Sequence, residues 1–165
     1  MSEKVRLEKL KSMRVAYFHS FSETPEEDAW QKMEIWAKEK GLFKKQSKVR
    51  IFGRNIYPTE NPEPHGYNYY ITISPDIKVD KEVFVSIIPG GLYAVSRCEG
   101  FEEISGTWAS LWKWVNESEY KYIGEIKGEL GYELGLEEHL NWYPVMVEKI
   151  ETKLIFDFML QLWEE

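Results

Sequence analysis

The chain has 165 residues, enough for one domain with a sizeable core, because a chain of this size hides roughly 70% of its unfolded surface. It carries 28 acidic against 21 basic side chains, a net charge of −7 that argues against a surface of clustered Lys and Arg for nucleic acid and favours a cationic partner. No apolar run approaches the roughly 20 residues of a membrane span, and the first residues lack the apolar core of a signal peptide, so a cytoplasmic protein with no membrane partner is expected. Cys98 is the single cysteine, which rules out an intramolecular disulfide and cysteine clusters within one chain. His19, His65 and His139 fall in separate segments without ligand spacing, so no metal and no cofactor are expected. Seven Trp and ten Tyr are many for this length, and some of those rings are candidates for ligand contact.

In chain order, Val5 to Ser20 opens with a charged half that is expected to pair elsewhere. Its second half, Met13 to His19, reads as a strand with one face for the core. Thr24 is placed as N-cap of a first helix, with Pro25 at the first position and Glu26 and Glu27 complementing the dipole. Trp30, Met33, Ile35, Trp36 and Ala37 form its apolar stripe, and Gly41 ends it. Val49 to Tyr57 and Tyr67 to Ile73 read as strands joined by a proline-rich connection, Pro58 to Gly66, of the kind that often borders a site. In the second of these strands Tyr67, Tyr69, Ile71 and Ile73 are assigned to the core, leaving Asn68 and Tyr70 on the opposite face.

After turns around Pro75 and Asp80 come strands at Val83 to Ile88 and Leu92 to Arg97, the latter closed by Glu99 and Gly100. A second helix is expected with Ser105 as cap and Trp108, Leu111, Trp112 and Val115 on its buried face, Trp114 lying at the flank. Glu129 to Leu136 takes the place that Val49 to Tyr57 holds earlier, and Val145 to Leu162 supplies the last strand or strand pair. Lys149 to Trp163 suits either helix or strand, and strand is preferred because a repeat requires it. That repeat is carried by the tryptophans: Trp30 and Trp36 recur as Trp108 and Trp114 at a common offset of 78, which also takes Ala16 to Ala94. A period this long reads as a duplicated half-domain, not a solenoid, with each copy β-α-β-β. The copies run from about 5 to 80 and from about 81 to 165 within a single domain, and the fold class is α+β.

Pro89-Gly90-Gly91-Leu92-Tyr93-Ala94-Val95-Ser96-Arg97-Cys98-Glu99-Gly100, the Trp-rich helix after it, and Leu136 to Asn141 together resemble the GyrI-like small-molecule-binding domain. This is the effector-binding domain of multidrug-sensing and AraC-type bacterial regulators, in the SOUL/GyrI-like superfamily. Arg50 to Asn55 and His65 to Tyr70 look like the family's paired strands. The resemblance implies a pseudo-two-fold, mostly antiparallel sheet with two main helices on one face and a ligand groove between the repeats on the other. It also implies a hydrophobic, aromatic, cationic ligand held by ring walls and a buried glutamate. Related members commonly place a glutamate where this chain has Asn68, and only four residues precede Val5, so no DNA-binding helix-turn-helix is expected ahead of it.

Glu133, between two glycines at Gly131 and Gly135, is the first choice for the counter-charge, against the reading of an ordinary exposed strand position. Glu137 and Glu138 could serve the same end but also read as a solvated loop pair, and Glu138 is kept by family analogy. Tyr70 is a proposed wall with Asn68 beside it as a hydrogen-bonding group; of the ring candidates Trp108 reads as core by its repeat with Trp30, while Trp112, Trp142 and Tyr93 are candidates that packing alone would also explain. Cys98 reads as a small buried residue, and Arg97 and Glu99 as charges that pair across neighbouring strands.

The leading function is a stand-alone, non-enzymatic protein that senses or sequesters such cations. The alternative is a hydrolase opening reactive cyclopropane-type genotoxins, with Glu133 or Glu138 activating water; no triad or metal set supports it. A third reading is a protein-interaction role with DNA gyrase or a regulator as partner, for which the −7 charge would suit mimicry of DNA.

Overall fold

The computed structural model describes residues 5–59, 64–124, 126–128 and 131–164. Its elements in order are β1 (Arg6–Leu10), β2 (Met13–Ser20), α1 (Pro25–Glu39), β3 (Ile51–Tyr57), β4 (Gly66–Thr72), β5 (Phe84–Ile88), β6 (Gly91–Glu99), α2 (Ile104–Glu117), β7 (Ile126–Gly128), β8 (Gly131–Glu133), β9 (Leu136–His139) and β10 (Ile155–Gln161). Glu60, Asn61, Pro62 and Glu63 of the proline-rich connection lie outside the described residues, as do Glu129 and Leu130 of the expected strand. The fold is α+β with antiparallel strand pairs and a duplicated β-α-β-β plan. Among the described residues, no helix is long and apolar enough to cross a membrane.

The chain forms two compact units, one of Met13–Ile88 with Glu125–Leu134, the other of Met1–Ser12, Pro89–Gly124 and Gly135–Glu165. We call them the α1 unit and the α2 unit. The α1 unit pairs its strands in the order β5–β2–β4–β3–β8–β7, the α2 unit in the order β1–β6–β10–β9. The offset of 78 survives in the registers. Arg6 of β1 opposes Val95 of β6, and the residues 78 on and 78 back, Phe84 of β5 and Tyr17 of β2, oppose each other as well. Each repeat therefore contributes its first strand to the unit built on the other repeat's helix.

Ladder pairing extends the correspondence beyond the offset. His19 opposes Asn68, which opposes Arg54; Arg97, 78 residues after His19, opposes Asp157, which opposes Glu138. By the same rule Gly53 and Tyr69 correspond to Glu137 and Phe158.

In the α1 unit, α1 buries Ala29, Trp30, Met33, Trp36 and Ala37, an i, i+3, i+4, i+7 stripe. Ile35 was expected in that stripe but falls off its period and is 63% exposed. Trp30 meets Tyr69 edge-on at 5.1 Å and Trp36 packs on Phe18 at 5.6 Å, so the tryptophan pair of the first repeat is core. Gly41 ends the helix region with φ 70, a left-handed conformation that glycine adopts without strain.

In the α2 unit, Thr107, Leu111 and Val115 are the buried positions of α2, with Trp108, Trp112 and Trp114 half-buried around the same core of Leu154, Phe156, Phe158, Leu160 and Leu162. Three expectations change here. A 3-10 turn at Phe101–Glu103 runs straight into α2, so the N-cap is Glu103, and Ser105 sits exposed in the first helical turn. β10 begins only at Ile155; Tyr143–Val147, expected as strand from Val145, is a π-helical turn. Asn141 pins this longer connection, its Nδ2 donating to Lys153 O at 2.8 Å and its Oδ1 accepting from the Ile155 N–H at 2.9 Å. Finally, the partner of β10 is β9, whereas Gly131–Glu133 joins β3 in the α1 unit, so of the segment expected in that place only Leu136 takes it.

Gly53 is where the α1 unit is tightest. A Cβ there would fall 2.0 Å from the Tyr67 hydroxyl and 2.6 Å from its Cζ. Gly53→Ala is expected to lower stability by about 1–3 kcal/mol through overpacking. Combining it with Tyr67→Ala should cost less than the two single changes added together, measured by denaturant unfolding of all four proteins.

Candidate functional site

Strand alternation on β9 sends Glu137 and His139 toward α2 and Leu136 and Glu138 to the other face, because Phe156 and Phe158, opposite His139 and Glu137, belong to the helix-side core. Glu137 is 8% exposed. The Trp108 indole N–H donates to its Oε2 at 3.1 Å, and the same indole lies nearly flat on Phe158, centroids 4.4 Å apart and planes 10° apart. A Cβ at residue 135 would come within 2.6 Å of the far edge of Trp108, so Gly135 makes the room that the ring occupies.

The other unit shows what the fold needs at this position. There the corresponding residues are Trp30, Tyr69 and Gly53, with the Tyr67 phenol laid over the glycine. An uncharged, close-packed solution is thus available, and Trp30 is only 6% exposed, whereas Trp108 keeps more contact with solvent. Placing a carboxylate in such a site costs several kcal/mol before its partners offset it. Packing does not explain Glu137, since the twin position manages without it.

His139 is buried edge-on against Phe156 at 4.7 Å. Burial, which penalises the charged imidazolium, lowers its pKa from 6.5 to about 3.

The sequence-derived candidates are divided between the two units. In the α2 unit, Trp112 stands edge-on to Tyr122 at 4.7 Å on the helix side. Glu138 and Tyr93 belong to the opposite face of that sheet, where Tyr93 donates its hydroxyl to Pro89 O at 2.6 Å. Glu138 opposes Asp157, a buried carboxylate gripped by Arg6 at 2.5 Å and Arg97 at 2.7 Å; Arg97 so makes the cross-strand pair expected of it. Trp142 is buried at the start of the π-helical turn, beside Tyr143. Cys98 is buried with its Sγ 3.5 Å from Gly100 O.

In the α1 unit, Asn68, Tyr70 and Glu133 share the face away from α1, and there Asn68 and Tyr70 are buried. His19 Nδ1 lies 2.7 Å from Asn68 Oδ1, and Asn68 Nδ2 donates to the Tyr70 hydroxyl at 3.1 Å. Tyr17 packs on Tyr70 at 5.9 Å and on Phe84 at 5.4 Å, continuing a row of rings across three strands. Burial raises the Tyr70 pKa, with Arg54 and Asn68 pulling the other way. Glu133 is not an isolated counter-charge, because Arg54 Nη1 is 3.4 Å from its Oε2.

Sequence reasoning passed over Arg54, and it treated Glu137 as half of a loop pair. The register that aligns Glu137 with Gly53 depends on insertions after α2 and after β9, and only the ladders reveal it.

Residues 6–151 match the family model Cass2, described as integron-associated effector binding protein. No curated protein sequence matches the chain. Among solved structures, the EcmrR C-terminal domain is similar with a TM-score of 0.69 at 9% identity, all of both chains being covered. Against EcmrR in its DNA complex the TM-score is 0.71 at 9% identity, and the whole of this chain spans 59% of EcmrR's length. SAV2435 bound to tetraphenylphosphonium is similar with a TM-score of 0.59 at 13% identity, over 97% of this chain and 94% of that one. A hydrolase from Listeria innocua is similar with a TM-score of 0.67 at 10% identity, over 97% and 92%. At these identities the likeness is one of fold.

The His139 shift has a sign that can be checked. The unfolded chain takes up a proton near pH 6.5 that the folded chain refuses until about pH 3, so this group's contribution to stability falls as pH drops through that window. The expected slope from this one residue is about 1.4 kcal/mol per pH unit. His139→Leu should flatten the acid limb of stability measured by urea unfolding between pH 6.5 and 4.

Proposed function

The chain belongs to the Cass2 family of integron-associated effector-binding proteins, and from that premise we propose that it binds an amphipathic aromatic cation at Trp108 and Glu137. The observation that carries the proposal is the buried Glu137 carboxylate hydrogen-bonded to the Trp108 indole N–H, at a position that the twin unit fills with Gly53 and a phenol. A charge kept where packing does not require it is a functional signal, since selection for stability alone would remove it.

The chemistry follows from the groups present. A delocalised cation placed against Trp108 gains about 0.5–2 kcal/mol from the ring quadrupole. Glu137 adds charge selectivity: in a partly desolvated setting it is attracted to a cation, and an equally large neutral compound gains nothing from it. Binding would exchange the indole N–H on Glu137 Oε2 for the ligand's charge, so occupancy and the Trp108 environment change together. Trp112, on the same helix as Trp108 and edge-on to Tyr122, extends the aromatic surface and sets size preference without imposing hydrogen-bond geometry. Few directional contacts mean broad specificity, as a sensor or scavenger of unrelated hydrophobic cations requires. That SAV2435 was solved with tetraphenylphosphonium suggests the probe.

Calorimetric titration with tetraphenylphosphonium, alongside triphenylphosphine oxide as a neutral relative, tests the reading. Glu137→Gln should weaken cation binding about ten-fold, ~1.4 kcal/mol, and leave the neutral compound unaffected, while Trp108→Ala should weaken both. Equal cation affinity in wild type and Glu137→Gln would remove the carboxylate from the site. Turnover of a strained cyclopropane electrophile, lost in Glu137→Gln, would replace sequestration with hydrolysis.

A further inference from the structure

A cleft of the α1 unit has no part in the Trp108–Glu137 site. Its volume is about 360 Å³, and it lies between the β2–α1 connection at Phe21 and Ser22 and a second stripe of α1, made by Asp28, Gln31, Lys32 and Ile35 at helical spacing. Small-molecule sites run from about 300 to 1,000 Å³, so the cleft suits a ligand of few atoms.

The two charges of the cleft are held apart. Asp28 and Lys32 stand at i and i+4 with the acid first, the arrangement in which helical acids and bases pair best, and Glu34 and Lys38 of the same helix do pair that way at 3.7 Å. Among the described residues Asp28 and Lys32 are not paired with each other. Ser22 Oγ instead donates to Asp28 Oδ2 at 2.5 Å, and Lys32 Nζ donates to His19 O at 2.7 Å. Each anchor occupies one hydrogen-bonding position, which leaves the second oxygen of the carboxylate and two N–H groups of the ammonium for a ligand. Phe21 and Ile35, which line the same cleft, are 52% and 63% exposed. In the twin unit, 78 residues on, Phe21, Asp28, Lys32 and Ile35 become Glu99, Gly106, Ser110 and Lys113, so the fold itself calls for neither the charges nor the apolar walls.

We infer that this cleft binds a zwitterionic α-amino acid with an apolar side chain, its ammonium on Asp28, its carboxylate on Lys32 and its side chain against Phe21 and Ile35. The class follows from the charges. A simple anion drawn to Lys32 is repelled by Asp28, and a simple cation drawn to Asp28 is repelled by Lys32, whereas a ligand carrying both charges gains from both. The inference does not depend on the Trp108–Glu137 reading, since every residue it uses belongs to the other unit.

L-Phenylalanine is the probe, with phenethylamine, which lacks its carboxylate, and 3-phenylpropionate, which lacks its ammonium, as single-charge relatives and calorimetry as the readout. Wild-type protein should bind L-phenylalanine at least about ten-fold more tightly than 3-phenylpropionate. Asp28→Asn should weaken L-phenylalanine about ten-fold without weakening 3-phenylpropionate, and Lys32→Met should weaken it as much without weakening phenethylamine. Glu137→Gln should leave L-phenylalanine unaffected; a loss there assigns the amino acid to the Trp108 site and overturns the inference. Absence of L-phenylalanine binding overturns the site, and affinity for 3-phenylpropionate equal to that for L-phenylalanine overturns the zwitterion class. Should either variant prove unstable, the Ile35 methyl resonances of wild-type protein decide: L-phenylalanine should shift them, and signals that it leaves unmoved defeat the proposal.

Discussion

Antiparallel register is the constraint on which the molecule rests. A slip of one residue on any ladder would turn every side chain of that strand to the opposite face. Arg6 opposite Val95 and Phe84 opposite Tyr17 are the same pairing made twice, once in each unit. The positions of Trp108 over Phe158 and of Trp30 against Tyr69 follow from it, because each helix meets the odd or even rows that the ladder presents. So does the comparison that singles out Glu137, which has meaning only when Gly53 and Glu137 occupy equivalent rungs.

The duplication also turns each half into a control for the other. Core demands are largely shared, so a difference at equivalent rungs calls for a reason of its own. Four such differences stand out: Gly53 against Glu137, Asn68 against Asp157, Arg54 against Glu138 and Tyr70 against Met159. The first puts a carboxylate on an indole N–H, and the last two put a guanidinium beside a phenol in only one unit. Asp157, gripped by two arginines, is the structural case among them, a buried charge paid for by Arg6 and Arg97.

Much of the architecture was legible in the chain. The tryptophan offset exposed the duplication, Pro25 and Gly41 marked the first helix closely, and the requirement for a repeat settled Ile155–Gln161 as strand where composition alone allowed either outcome. Errors gathered where the two copies diverge in length. Glu129 to Leu136 looked like one strand replacing β3, yet Gly131–Glu133 and Leu136–His139 pair with different partners, which hydrophobic alternation cannot foresee. The facing of neighbouring side chains was harder to foresee for a related reason: which of Glu137 and Glu138 lies with α2 depends on the parity of a four-residue strand. Arg54 gave no local sign, because its partners Tyr70, Glu133 and Leu134 are distant in sequence and meet it only through β4 and β8.

The exchange of first strands bears on how the protein is made. β1 leaves the ribosome well before β6, its one strand partner among the described residues, so for much of synthesis it is an unpaired edge open to other chains. Its residues suit that wait: Arg6, Glu8 and Lys9 put three charges into a five-residue strand. β5, by contrast, is Phe-Val-Ser-Ile-Ile, without a charge, and its partner β2 has already been made when it appears. Two strands with equivalent places in the finished sheets thus differ in composition in step with how long each must remain single.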